Sequence, residues 1–159
     1  MNRVQLSKHF TWEEAEITNH RKIDNTIPIR LESNILQTAS NMELVRNVLN
    51  ESHDCPILVS SWYRCEELNI AVGSSDKSFH PKGTAVDFIC PQFGPPRKIV
   101  EHLMKHSTEL LYDQLIFEFT WVHIGWDPSG ANRGQVLTLL KSGGYAFGIT
   151  DNMGNPFHA

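Results

Sequence analysis

The sequence has few cysteines, no long apolar run and no excess of basic residues. Its three cysteines are Cys55, Cys65 and Cys90, an odd number without a CxxC pair. This argues against a disulfide framework or a cysteine zinc site, and we expect buried, reduced thiols. The formal net charge of −4 argues against general nucleic-acid binding and provides no attraction to an anionic membrane. No apolar run approaches the roughly 20 residues that cross a bilayer.

The N-terminal sequence MNRVQLSKHFTWEE contains basic residues but no apolar segment of the kind that signal peptides contain. We therefore expect synthesis in the cytoplasm without a secretory signal. The length of 159 residues is that of one domain, and neither repeats nor low-complexity segments interrupt it. The prediction is a single domain over residues 1–150, followed by a C-terminal tail at 151–159.

The order of predicted elements indicates an α+β fold with one mainly antiparallel sheet and helices packed on it. Thr11 and Glu14 form a capping box for a short helix. Apolar residues at helical spacing predict the main core helix over residues 33–50, and Pro96 begins another helix. An apolar element is expected around residues 143–144. Strands are predicted within residues 56–63, 84–89, 112–119 and 121–126.

The stretch SFHPKGTAVDF places His80 seven positions before Asp87. Imidazole and carboxylate are zinc ligands, and they can meet if His80 lies in a loop leading into the strand of Asp87. Pro81 and Gly83 would permit such a turn. Such pairs often arise by chance, so a surface histidine and an ordinary buried or turn aspartate are the plainer interpretation of the pair alone.

Two residues further along the chain could complete such a site. His123 lies in WVHIGW, where strand alternation places it opposite the face of Val122 and Ile124; alone, it could equally be a half-buried structural histidine. Glu118 ends an apolar run, so partial desolvation is expected to raise its pKa toward that of a general base. The alternative is a strand-end glutamate facing solvent.

Two polar residues offer substrate contacts. Arg64 follows a predicted strand, and its guanidinium suits a carboxylate, although a surface salt bridge is the plainer interpretation. Ser78 could donate to a substrate or only cap its loop.

These residues together resemble a known family. S-x-H-x-x-G-x-A-x-D occurs over residues 78–87, W-V-H-I over 121–124, and S-x-Y-R over 61–64. The chain resembles the zinc peptidases of the D-Ala-D-Ala carboxypeptidase and hedgehog-like fold, which include D-alanyl-D-alanine dipeptidases and phage L-alanyl-D-glutamate endolysins. The resemblance extends over roughly residues 5–127, with its segments in the family's order.

The resemblance implies a role for each of the main site residues. His80, Asp87 and His123 correspond to the ligands of one Zn²⁺ ion. Glu118 corresponds to the catalytic base, and Arg64 to the arginine that orients substrate and stabilises charge on the attacked carbonyl.

Ser78 and Gln114 correspond to positions near the substrate. The spacing between base and last ligand varies among relatives, so Asp113 is the second candidate for the role that the resemblance gives to Glu118. Trp62 stands where glycine is common, and we expect it to narrow or reshape the pocket beside Arg64.

The function that the resemblance implies is zinc-dependent hydrolysis of a peptide bond in bacterial peptidoglycan, by a carboxypeptidase or an endolysin of phage or bacterial origin. The expected partner is a peptidoglycan stem peptide, the expected state is a monomer, and release to the wall could use a holin. The alternatives are a non-catalytic binding module or a phage structural component that uses zinc only to stabilise its fold.

Overall fold

The computed structural model describes residues 4–157 of the chain, and its elements follow the predicted order. The helices are α1 (Trp12–Ala15), α2 (Glu32–Leu49), α3 (Glu66–Ala71), α4 (Pro96–Leu103) and α5 (Ser107–Leu110). The strands are β1 (Leu58–Ser61), β2 (Ala85–Ile89), β3 (Gln114–Phe117), β4 (Val122–Gly125), β5 (Gln135–Leu139) and β6 (Tyr145–Phe147). Short 3-10 turns occur at Ile29–Leu31, His80–Lys82 and Met104–His106. The α+β prediction is confirmed.

A local sequence signal determines where α1 begins, and apolar spacing predicts α2. Thr11 Oγ1 accepts from the backbone N–H of Glu14 at 3.2 Å, and the Glu14 carboxylate accepts from the Thr11 N–H at 2.7 Å. This reciprocal capping box is the one predicted. The predicted helix over 33–50 is α2, whose apolar face, including Ile35, Met42 and Val45, is fully buried.

The six strands form one sheet in the order β1-β2-β4-β3-β5-β6. Four of the five neighbouring pairs are antiparallel, and β3 and β5 pair in parallel. The prediction of a mainly antiparallel sheet is therefore confirmed. The apolar element expected around residues 143–144 is the β5–β6 hairpin, whose turn contains Gly143 with φ of 91°.

Strand alternation gives the sheet two faces of different character. The side chains of Val86, Phe88, Val122 and Ile124 are fully buried in the hydrophobic core, on the side where α4 contacts β3 and β4. Residues of opposite parity, including Asp87 and His123, point to the other side of the sheet. We call this second side the polar face.

Residues 151–157 return to the body of the protein. Thr150 and Pro156 form an isolated β-bridge, and the Phe157 ring lies 3.9 Å from the Arg97 guanidinium and 6.4 Å from the Phe117 ring. The boundary at residue 150 stays a prediction, and positions 158 and 159 lie outside the described residues.

The cysteines are free, and they differ in exposure. Cys55 and Cys90 are buried, as predicted, whereas Cys65 is only half-buried because its Sγ caps α3 by accepting from Leu68 N–H at 3.4 Å. No helix within residues 4–157 has the length and apolarity to cross a membrane.

Candidate metal centre

A tight turn brings His80 back toward β2. His80 begins the 3-10 turn, and Gly83 ends it with φ of 73°, donating its N–H to the His80 carbonyl at 3.0 Å. A Cβ on Gly83 would lie 2.6 Å from Cδ1 of Ile35, which is fully buried. Both the positive φ and the close approach require glycine. The predicted turning role of this glycine is confirmed.

Three ionisable side chains meet at the polar face. Asp87 on β2 and His123 on β4 are directly paired in the sheet register, and His80 approaches from its turn. One potential ligand atom from each residue lies within 4.8 Å of the others, and all three side chains are buried. His123 Nδ1 is 2.8 Å from Asp87 Oδ1, and His80 Nε2 is 3.2 Å from the same oxygen.

The backbone carbonyl of Trp62 determines which nitrogen of His80 is free. His80 Nδ1 lies 2.6 Å from this oxygen. A carbonyl only accepts hydrogen bonds, so Nδ1 carries a hydrogen, and in the neutral ring Nε2 is then the nitrogen whose lone pair can bind a metal ion. An outer hydrogen bond of this kind fixes the tautomer of metal-binding histidines.

The charges of this cluster fit a cation. Burial lowers the pKa of His80, against the attraction of Asp87, and favours the neutral ring. Burial opposes ionisation of Asp87, but His80 and His123 hold its pKa well below the usual range. His80 Nε2 lies 3.2 Å from Asp87 Oδ1, and this donor set of imidazole and carboxylate suits zinc.

His123 is the third member of the cluster. Burial opposes its charged form, yet the hydrogen bond and charge of Asp87 raise its pKa. Its direct pairing with Asp87 in the sheet means that β2 and β4 fix the distance between the two side chains. This places a second imidazole nitrogen beside the carboxylate without any contribution from a flexible loop.

Arg64 lies beside the cluster and contacts two of its members, and its backbone N–H donates to the His80 carbonyl at 3.2 Å. Its Nη2 donates to Asp87 Oδ2 at 2.9 Å, and its Nε donates to Ser61 Oγ at 2.9 Å. The surface salt bridge considered from sequence is therefore excluded, because the Asp87 carboxylate is buried. These bonds use two of the five guanidinium donors, which leaves donors for another anion.

Glu118 follows β3 and lies on the polar face. Burial is the main cause that raises its pKa to about 7, with a further increase from the charge of Asp87. His123 and Arg64 oppose this increase. The predicted desolvation of this carboxyl is confirmed, and its pKa is close to neutral pH, where a general base works best.

Trp121 contributes to the surroundings of Glu118 in a way that the sequence did not reveal. Its indole Nε1 is buried and has no hydrogen-bond partner among residues 4–157, yet the group lies close enough to Glu118 to lower the pKa of that carboxyl. Thr120, two residues after Glu118, donates its N–H to the Glu118 carbonyl at 2.7 Å. This closes the β3–β4 turn.

Asp113, the second candidate for the base, has a structural position. It is fully buried, and Arg133 binds it through Nε and Nη2 at 3.0 and 2.7 Å. The Arg133 backbone N–H also donates to it at 2.9 Å. With its oxygens occupied in this way, Asp113 belongs to the contact between β3 and the segment before β5, and Glu118 is the carboxyl beside the cluster.

Three other predicted positions differ in their relation to the cluster. Ser78 Oγ accepts from the His80 N–H at 3.2 Å, so it caps the turn. Gln114 is half-buried on the polar face, two register positions from Ile116, the β3 partner of His123. The Trp62 indole does not narrow the pocket, because it is fully buried and donates to the Gly83 carbonyl at 3.0 Å, so it supports the turn from the core.

The polar face continues beyond the cluster toward the edge of the sheet. The register pairs Ile116 with Leu137 and Leu137 with Phe147, and it pairs Leu139 with Tyr145. Paired residues share a face, so the exposed rings of Tyr145 and Phe147 lie on the polar face. A cleft of about 150 Å³ borders Arg64. A larger cavity of about 610 Å³ lies along α1 and includes none of the clustered residues.

Comparison with known proteins gives the family. No individual curated protein matches the chain. A family model described as Peptidase M15 matches residues 8–125, which include the three clustered residues His80, Asp87 and His123 as well as Arg64 and Glu118. Because this match spans most of the chain, the resemblance found in the sequence is confirmed. The chain belongs to the peptidase M15 family, a family of metallopeptidases.

Proposed function

We propose that this protein is a zinc-dependent peptidase that hydrolyses a peptide bond in bacterial peptidoglycan. The observation that carries the proposal is the buried cluster of His80, Asp87 and His123 with the Glu118 carboxyl beside it. A carboxyl beside the cluster with its pKa raised to about 7 favours a catalytic over a purely structural metal site. Such a group fits proton transfer near neutral pH.

In this proposal His80, Asp87 and His123 hold one zinc ion. When bound, the ion supplies an activated water molecule and polarises the scissile carbonyl. The Trp62 carbonyl keeps His80 in the required tautomer. Arg64 orients Asp87 by donating to its Oδ2, while both histidines contact its Oδ1. Both are positioning interactions that reduce the freedom of the ligands.

Glu118 is the proposed general base and acid. Its carboxylate accepts a proton from the attacking water and returns it to the nitrogen of the leaving amine. Burial keeps the carboxyl basic, while Arg64 and His123 limit how far its pKa rises. The unused donors of Arg64 are placed to bind a substrate carboxylate or the developing oxyanion.

The substrate class rests on the family resemblance and on the shape of the polar face. The exposed rings of Tyr145 and Phe147 lie on the polar face, where an extended peptide would contact them. A stem peptide carries carboxylates that match Arg64, and Gln114 lies on the same face as a possible hydrogen-bonding partner. Endolysin-like action at the wall, after release through a holin, is the setting that we propose.

The test is release of defined fragments from purified peptidoglycan. Zinc-loaded protein is incubated with walls of several peptide types, and mass spectrometry identifies the bond that is cut. The Glu118→Gln variant should bind zinc normally and lose activity by at least about 100-fold. The control Glu101→Gln makes the same chemical change on the exposed face of α4 and should retain full activity.

Two results would contradict the proposal. Release of the same fragments by Glu118→Gln at the normal rate would refute the assignment of the base. Absence of release from every wall type, with zinc bound by the cluster, would favour the non-catalytic binding module.

A further inference from the structure

A second group of metal-binding side chains lies away from the candidate centre. It consists of Glu51, just after α2, and two histidines at the end of the α4 region, His102 and His106. One potential ligand atom from each lies within 4.8 Å of the others, and both histidines are half-buried. We propose that these three residues bind a second divalent transition-metal ion, of the class to which Zn²⁺ belongs.

The spacing of the two histidines is the first support. They are four residues apart across the end of α4 and the following 3-10 turn, so both imidazoles lie on one side of the helical segment. Their ring centroids are 5.0 Å apart. Residues at this spacing can bind one ion in cis, and Glu51 adds a carboxylate from a different element.

The hydrogen bonds of the two rings are the second support. His102 Nε2 lies 3.2 Å from the Val48 carbonyl oxygen, which only accepts, so Nε2 carries the hydrogen and Nδ1 has the free lone pair. His106 Nδ1 lies 3.2 Å from a carboxylate oxygen of Glu109, which leaves the lone pair on Nε2. Each ring thus has one nitrogen held by an outer acceptor and one nitrogen free, as in metal-binding histidines.

The location is the third support. Val48 belongs to the last turn of α2, an 18-residue helix that ends at Leu49, and Glu51 lies two residues beyond this end. The C-terminal end of a helix carries partial negative charge, which favours a cation. The Phe93 ring, with its centroid 5.0 Å from that of His102, further restrains that imidazole.

An ion at this position would connect the end of α2 to the end of α4. These two helices pack against each other in the core, and the ion would link them at the surface. Because Glu51 is exposed, we expect weaker and more exchangeable binding here than at the buried centre.

The test uses Zn²⁺ alone, titrated into metal-stripped protein by calorimetry, with the bound metal counted by elemental analysis. The wild-type chain should bind two ions, and His106→Ala and Glu51→Gln should each bind one. Glu109→Ala should retain the second site with affinity reduced about tenfold or more, since it removes only the outer acceptor. His53→Ala changes a nearby histidine whose Nε2 contacts the Gln92 carbonyl, and it should still bind two.

A second measurement identifies the binding nitrogens. In ¹⁵N-histidine NMR spectra, Zn²⁺ should shift the Nδ1 resonance of His102 and the Nε2 resonance of His106. Binding of two ions by both His106→Ala and Glu51→Gln would overturn the inference, as would absence of these shifts. Asp87→Asn, which removes a ligand of the buried centre, should lose the other ion, so failure of either site can be recognised independently.

Discussion

Gly83 offers the sharpest test of how the fold builds the candidate centre. Replacing it with alanine introduces a Cβ at φ of 73°, which costs about 1–2 kcal/mol of stability for an L-residue in the left-handed region. The same Cβ would lie 2.6 Å from Ile35 Cδ1. Because Ile35 is fully buried, its side chain has little room to move, and overpacking adds about 1–3 kcal/mol.

The expected loss for Gly83→Ala is therefore about 2–5 kcal/mol, a large part of the roughly 5–15 kcal/mol that stabilises a domain. Urea denaturation of metal-stripped protein measures this loss. Gly73→Ala is the matched control, because Gly73 has φ of 71° but nothing within 4 Å of its Cβ position. The control should lose only the backbone contribution of about 1–2 kcal/mol.

A double-mutant cycle separates the steric contribution from the backbone contribution. Ile35→Val removes Cδ1 and alone costs about 0.5–1.5 kcal/mol. In the Gly83→Ala background it also removes the closest contact, so the double variant should be about 1–2 kcal/mol more stable than additivity predicts. Additive losses, or equal losses for Gly83→Ala and Gly73→Ala, would refute the reasoning that Ile35 limits the residue at this turn.

Three further predictions follow from the contacts of single residues. Because the pKa of Glu118 is raised to about 7 in the folded protein, the folded state retains a proton that the unfolded chain loses. The stability of metal-stripped wild-type protein should therefore fall by about 1–3 kcal/mol more than that of Glu118→Gln between about pH 5 and pH 8; equal pH profiles by denaturation would contradict this. Arg133→Leu removes two of the three hydrogen-bond donors of the buried Asp113 carboxylate and leaves only the backbone N–H. We expect the free energy of unfolding in urea to fall by about 2–4 kcal/mol, and a fall below about 1 kcal/mol would show that the pair is dispensable. Leu111 is 63% exposed and has a φ of 49°, in the left-handed region that favours glycine. Leu111→Gly should therefore raise the melting temperature by about 2–4 °C. The control Met104→Gly changes an exposed residue with an ordinary φ of −63° and should lower the melting temperature.

Local patterns in the sequence were sufficient to predict several parts of the fold. The capping box at Thr11, the apolar face of α2 and the alternation around His123 all depend on residues close in sequence. The helical period of 3.6 residues and the strand period of 2 residues determine which side chains share a face before any tertiary contact forms. The same reasoning predicted the raised pKa of Glu118, because an apolar run predicts burial.

The resemblance identified residues that no local pattern could bring together. Spacing alone left His80 and Asp87 as an ordinary pair. The family motifs implied that His123 joins them, and the pairing of β2 with β4 places all three within reach of one ion. Their roles in catalysis remain predictions that the proposed experiments test.

Other parts of the site were decided only by the tertiary structure. The Trp62 carbonyl that orients His80 is a backbone group, which leaves no trace in a residue pattern, and the Trp62 indole points into the core instead of narrowing a pocket. The pairing of Arg64 with Asp87 and that of Arg133 with Asp113 each join residues about 20 positions apart. The sequence determined which candidate metal ligands and which periodic apolar faces this protein has. Chain folding decided which acceptor each polar group meets, because a buried polar group needs a hydrogen-bond partner and that partner can lie far away in the sequence.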